Sequence, residues 1–213
     1  MDYVIEIANA GKSFKGKEVF SHLNLKMEKG KSYGFVGHNG CGKSVLLKCI
    51  CGFSRLTEGE IKVNGQIIGK DVDFIRDAGV VIESPSFLNH LSGYKNLSII
   101  AKIQKKITDD EILETLKLVD LYEEKDKKVK AYSLGMTQKL RLAQAFMEHP
   151  SILILDEPTN GLDKESVAKL HGILKDFLAK GGTLLLCSHN KTDIETCCEE
   201  VYEFQHGVLE KIS

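Results

Sequence analysis

An α/β fold built on a mixed, largely parallel sheet follows from three features of this sequence of 213 residues. Gly79-Val80-Val81-Ile82-Glu83, Ile152-Leu153-Ile154-Leu155 and Thr183-Leu184-Leu185-Leu186-Cys187 are near-continuous apolar runs, the pattern of strands buried on both faces. Runs of helical period alternate with them, which implies a parallel sheet covered on each side. A glycine-rich stretch, Gly37-His38-Asn39-Gly40-Cys41-Gly42-Lys43-Ser44, joins the short apolar strand Tyr33-Gly34-Phe35-Val36 to a helix-like run, Val45-Leu46-Leu47-Lys48.

Taken in order, Val4, Ile5 and Ile7 mark a first strand, and Gly11 to Gly16 reads as a turn region containing Phe14. Val19 to Met27 alternates as a second strand, with Leu23, Leu25 and Met27 on one face. Glu60 to Val63, Asn64-Gly65 and Gln66 to Ile68 spell a β-hairpin on an Asn-Gly turn. The N-terminal part therefore carries antiparallel strands beside the strand that feeds the glycine loop. Ser84 to Gly93 is loop-like, and its apolar residues Phe87, Leu88 and Leu91 either pack locally or form a docking surface.

Asn96 to Ile103 and Thr108 to Tyr122 predict helices, the second opened by a Thr108/Glu111 capping box with Ile112, Leu116 and Val119 on one face. Glu123 to Lys130 is charged connecting surface. Met136 to Glu148 predicts a further helix, ended by Pro150. Residues from about 84 to 147 are thus mostly helical and form a candidate subdomain. Asp163 caps a long amphipathic helix carrying Val167, Leu170, Leu174, Phe177 and Leu178, stopped at Gly181-Gly182. Val201 to Phe204 with Gly207 and Val208 predicts a final hairpin.

The bulk numbers exclude several classes. A formal net charge of −1 argues against a general nucleic-acid binder or a basic membrane-surface protein. Six cysteines occur without a C-x-x-C pair, so neither a zinc site nor a redox motif is expected, and Cys41 inside the glycine loop fits a reducing compartment. Met1 to Glu6 has no basic segment leading into a long apolar one, so no signal peptide is expected. Apolar runs reach about five residues, far short of the roughly 20 needed to cross a bilayer.

The chemistry gathers in four stretches. In the glycine loop, residues free to adopt positive φ turn successive N–H groups inward, and a helix dipole points at the same place. Gly37, His38, Asn39, Gly40, Cys41, Gly42, Lys43, Ser44 and Val45 are the expected phosphate-binding positions. Lys43 offers a mobile charge to the β- and γ-phosphates, and the Ser44 hydroxyl a ligand to Mg²⁺. Asp156-Glu157 ends a buried strand, where Asp156 would hold Mg²⁺ and Glu157 would polarise the attacking water as general base. Pro158 follows, so the bland alternative is an acidic turn. Ser188-His189 ends the next strand on the same sheet edge, in reach of a γ-phosphate. Ser133 before Leu134-Gly135-Met136 has the place of a helix cap, a second anion-binding helix start.

Together these segments resemble the nucleotide-binding domain of ATP-binding cassette (ABC) transporters, over nearly the whole chain. Gly37 to Ser44 is similar to the family's Walker A motif, Ile152 to Glu157 to Walker B, Asn160-Gly161-Leu162-Asp163 to the D-loop and His189 to the switch histidine. Phe14 takes the place of the aromatic that stacks on adenine. Ser133, Gly135 and Gln138 resemble a variant signature motif. Two departures matter: Glu83 stands where the family has the Q-loop glutamine, and Tyr132-Ser133-Leu134-Gly135-Met136 replaces Leu-Ser-Gly-Gly-Gln. Ile82-Glu83-Ser84-Pro85 and Ser133-Leu134-Gly135-Met136 are both similar to the wording of the bacitracin- and lantibiotic-export branch.

The resemblance implies a single ABC ATPase domain over residues 1–213, a P-loop NTPase with an N-terminal antiparallel β subdomain and an inserted helical subdomain at about 84–147. It implies ATP and Mg²⁺, the latter at Ser44, Asp156 and Glu83, and catalysis by Lys43, Glu157 and His189. It further implies a head-to-tail dimer with a second ATPase subunit, like or unlike, and a transmembrane permease docking near Phe87, Leu88 and Leu91. The chain would then lie in the cytoplasm, peripheral on the inner face of the membrane, and power an exporter of an antimicrobial peptide or drug. A soluble ABC ATPase uncoupled from transport and a non-hydrolysing nucleotide sensor are the alternatives.

Overall fold

The computed structural model describes residues 2–83, 86–205 and 207–213. Ser84 and Pro85, half of the branch-specific wording, lie outside the described residues. Two sheets form. Strands β1 (Tyr3–Phe14), β2 (Lys17–Glu28), β4 (Glu58–Val63) and β5 (Gln66–Ile67) make an antiparallel sheet in the order β2-β1-β4-β5. Strands β3 (Ser32–Val36), β6 (Ala78–Val81), β7 (Ile152–Asp156), β8 (Thr183–Cys187), β9 (Glu200–Gln205) and β10 (Val208–Lys211) make the second, ordered β10-β9-β3-β8-β7-β6. All of its pairings are parallel except β9 with β10.

The period of two in these strands sorts side chains onto two cores. Ile152, Ile154, Leu185 and Cys187 face the antiparallel sheet and helix α1 (Lys43–Cys51). Leu153, Leu155, Leu184 and Leu186 face the opposite core, shared with α2 (Gly93–Gln104), α3 (Asp109–Leu118), α4 (Leu134–Phe146), α5 (Lys164–Ala179) and α6 (Lys191–Cys197). Each of these eight side chains is at most 1% exposed, which is why all eight are apolar.

Several boundaries differ from the sequence reading for identifiable reasons. Gly11 to Phe14 belongs to β1, and the turn is confined to Lys15 and Gly16. Gly11 is there because Glu58 lies across it: a Cβ at this position would sit 2.5 Å from the Glu58 Cγ. The glycine marks close side-chain approach inside a strand rather than a turn. The run at Gly79 forms the edge strand β6, with Ala78 and Val80 half-buried. A Cβ on Gly79 would meet the Ala145 carbonyl oxygen at 2.0 Å, so the residue lets α4 lie close against the strand. The helix from Thr108 stops at Leu118 because Asp120 turns the backbone to φ 53°. Its capping box forms on both sides, with Thr108 N–H donating to Glu111 at 2.8 Å and Glu111 N–H to Thr108 Oγ1 at 3.3 Å. Asn64 and Gly65, at φ 49° and 76°, make the primed turn expected between β4 and β5.

Candidate functional site

The C-terminal ends of three neighbouring strands build the site. Phe35, Cys187 and Asp156 pair in register across β3, β8 and β7, so the chain leaves all three strands on one edge of the sheet. The glycine loop after β3, Glu157 after β7 and Ser188-His189 after β8 therefore converge there.

The loop takes its shape from glycines at positive φ, 140° at Gly37, 81° at Gly40 and 121° at Gly42. At Gly37 a Cβ would lie 2.8 Å from the Phe204 carbonyl oxygen, and at Gly42 it would lie 3.0 Å from Val19 Cγ1. The loop is thus wedged between β9 and the hairpin β1–β2. Lys43 is 7% exposed, and its ammonium donates to the carbonyls of Gly37 at 2.7 Å and His38 at 3.2 Å. It also lies 3.7 Å from the Cys41 sulfur. A buried cation held by loop carbonyls at the start of α1 suits an incoming anion.

Asn39, Gly40, Gly42, Lys43, Ser44, Val45, Asp156 and Glu157 line one open depression. Half of the binding, catalytic and metal-holding residues singled out from sequence therefore meet there. Burial pushes the Asp156 carboxyl above its ordinary value, while a hydrogen bond with Ser44 and the charges of Lys43 and Lys48 pull it back. That hydroxyl–carboxylate pair is the hard oxygen chemistry a small divalent cation takes. No cluster of three or more His, Cys, Asp or Glu side chains suited to a metal occurs among the described residues. A cation here would rest on these two groups and on phosphate oxygens.

Glu157 sits in a left-handed conformation, φ 51°, with its N–H on the Cys187 carbonyl at 2.8 Å. This turn aims its carboxylate at His189. His189 donates its backbone N–H to the carboxylate at 3.1 and 3.3 Å, and its Nδ1 lies 2.6 Å from Oε2. The base candidate and His189 are thus one hydrogen-bonded unit. His38 stands on a second depression that it shares with His189.

Other predicted residues lie apart. Phe14 is exposed at the tip of the β1–β2 hairpin, with the Lys12 ammonium 4.4 Å from its ring centre. Glu83, at φ 57°, forms an ion pair with Lys48 on α1. The sequence reading did not single out Lys48. It follows Lys43 on the same helix, and only the fold brings β6 beside α1. Ser133 caps α4 by accepting from Met136 N–H at 3.1 Å, and a Cβ on Gly135 would lie 2.9 Å from the Gly161 carbonyl oxygen. Leu134 between them is 68% exposed, an apolar side chain displayed at a helix start. Phe87 packs on the second core, whereas Leu88 is exposed. Buried Asn96, also unforeseen, holds this loop through both the N–H and the carbonyl of Leu88, at 2.8 and 3.2 Å.

A glycine cradle on β3–α1 with a carboxylate pair at the end of β7 defines a P-loop nucleotide-binding domain. Residues 20–160 match the family model described as ABC transporter. The chain is 40% identical over 207 residues to the "Uncharacterized ABC transporter ATP-binding protein YybJ" of Bacillus subtilis (strain 168), covering 97% of this chain and 95% of that protein. It is 35% identical over 211 residues to the "Bacitracin transport ATP-binding protein BcrA" of Enterococcus faecalis, covering 98% of this chain and 68% of that protein. A solved "Structure of ATP binding subunit of ABC transporter" superposes with a TM-score of 0.87 at 24% identity, over 99% of this chain and 90% of that one, a likeness of fold. The chain belongs to the ABC transporter ATP-binding proteins, ATPases that work with membrane permeases. The family recognition and fold class read from its motifs are borne out.

Proposed function

We propose that this chain is the ATP-hydrolysing subunit of an exporter for an antimicrobial peptide or related drug, and that a second copy completes its site. The observation that carries the catalytic part is the Glu157–His189 unit beside the Lys43 cradle. Lys43 and the loop N–H groups bind and orient the phosphates of ATP. Glu157 accepts the proton of the attacking water, and His189 holds that carboxylate in place. Mg²⁺ at Ser44 and Asp156 would neutralise phosphate charge.

Lys43 and Ser44 line an open depression, and Ser133 and Gly135 do not line it. Their helix start, with exposed Leu134 beside it, supports a face that meets a second copy across the nucleotide. Phe14 is the candidate to stack on adenine. No described helix is long and apolar enough to cross a membrane, so transport requires a permease. Residues of about 84–147 would form the helical subdomain, and exposed Leu88, with Phe87 and Leu91, is the candidate contact. Docking there places the chain on the cytoplasmic face of the membrane. The peptide cargo rests on the likeness to BcrA and on the Glu83 and Ser133 to Met136 variants.

The test is to fractionate cells that make this chain with and without a candidate permease partner. The chain should sediment with membranes only when the permease is present, and Leu88→Asp should release it. Sedimentation that ignores the permease counts against the transport reading. Glu83 gives a second expectation. Its carboxylate, paired with Lys48, brings negative charge toward Asp156. Glu83→Gln should keep ATP binding while shifting the Mg²⁺ dependence of turnover; superimposable Mg²⁺ titrations would show that Glu83 has no influence on the metal site.

A further inference from the structure

Beneath the Glu157–His189 unit lies a buried carboxylate that takes no part in the steps assigned to Lys43, Glu157 and His189. Asp193, on α6, is 1% exposed. Its Oδ2 accepts from Thr159 Oγ1 at 2.7 Å and from Ser188 Oγ at 2.8 Å. Its Oδ1 lies 2.8 Å from His171 Nε2 on α5. Thr159 stands two residues after Glu157, and Ser188 directly precedes His189. The bonds therefore close a ring: Asp193 to Ser188, along the chain to His189, across to Glu157, along the chain to Thr159, and back to Asp193.

We propose that Asp193 is a positioning residue for hydrolysis, whose carboxylate ties the turn after β7 to the turn after β8 and so fixes Glu157 against His189. The inference rests on the reading of Glu157 as base. Ser188 Oγ donates straight to the carboxylate rather than to His171, so the group is not a nucleophile–base–acid relay. A buried charge is costly to keep, and a well-packed apolar side chain serves stability equally well. What an apolar side chain cannot do is hold two hydroxyls from two catalytic turns on one oxygen. Asp193 and Thr159 line neither of the two depressions that the glycine loop borders, so losing the tie acts on turnover rather than on nucleotide binding.

The test is steady-state ATPase kinetics of the full chain. Asp193→Ala should lower kcat by about tenfold or more while KM for ATP stays within about twofold. Asp193→Asn should restore most of the loss, since its carboxamide oxygen accepts both hydroxyls and its NH₂ faces His171. In a His189→Ala background, Asp193→Ala should cost little more, because the two act on one unit. An unchanged kcat, a loss confined to KM, or the same factor lost in both backgrounds overturns the proposal. Thr159→Val removes a single donor and reads the same effect should Asp193→Ala not fold. Full activity in Glu157→Gln sinks the base reading instead; the His189 ring-proton NMR signal then decides, moving in Asp193→Ala if the tie is real and staying put if it is not.

Discussion

Lys43→Ala weakens ATP binding and lowers turnover by roughly two orders of magnitude or more, the scale of removing one charged group aimed at the reacting phosphates. The reason lies in how the lysine is held. Its ammonium is buried and donates to two loop carbonyls, so the loop is built around the charge. Without it those carbonyls line a cavity that repels an anion, and the N–H groups of the loop alone must hold the phosphates. Equilibrium binding of a fluorescent ATP analogue, together with phosphate release, reads both effects. Binding at the wild-type level would show that the cradle does not work through Lys43.

Glu157→Gln leaves ATP binding close to wild type and lowers turnover by roughly two to three orders of magnitude, the scale of losing a positioned general base. The amide still fills the site beside His189 but cannot take a proton. Binding and chemistry should separate here, whereas they fall together in Lys43→Ala. With hydrolysis blocked, ATP should accumulate a closed dimer, seen by light scattering on addition of Mg²⁺ and ATP. A parallel loss of binding and turnover would mean that Glu157 holds the loop rather than the water.

Much of this site is legible in the sequence because its parts are local. Gly37 to Ser44 is contiguous, and Asp156-Glu157 and Ser188-His189 each end an apolar run whose length alone marks a buried strand. Parallel strands then bring three distant stretches to one edge without further information. Pairings between elements are not legible in this way. The Lys48–Glu83 ion pair depends on β6 passing α1, and the Asp193 bonds depend on α6 lying under two turns. Helix α6 itself is seven residues long and has too few turns to show a clear apolar stripe. Gly11 reads as a turn because a glycine permits one, yet here it makes room for Glu58 across the sheet. Glycine signals absence of a side chain, and only the neighbours tell whether the backbone or the packing uses it.

In the proposed dimer one ATP site is shared between the loop of one copy and the α4 start of another. Mixing two inactive variants tests it most directly. Lys43→Ala ruins the loop and Gly135→Asp ruins the helix start, so each alone disables both sites of a symmetric dimer. In a mixed dimer one site carries both lesions and the other carries none. Mixing the two should restore ATP hydrolysis well above either variant alone. Hydrolysis that stays at the average of the two inactive proteins would contradict it.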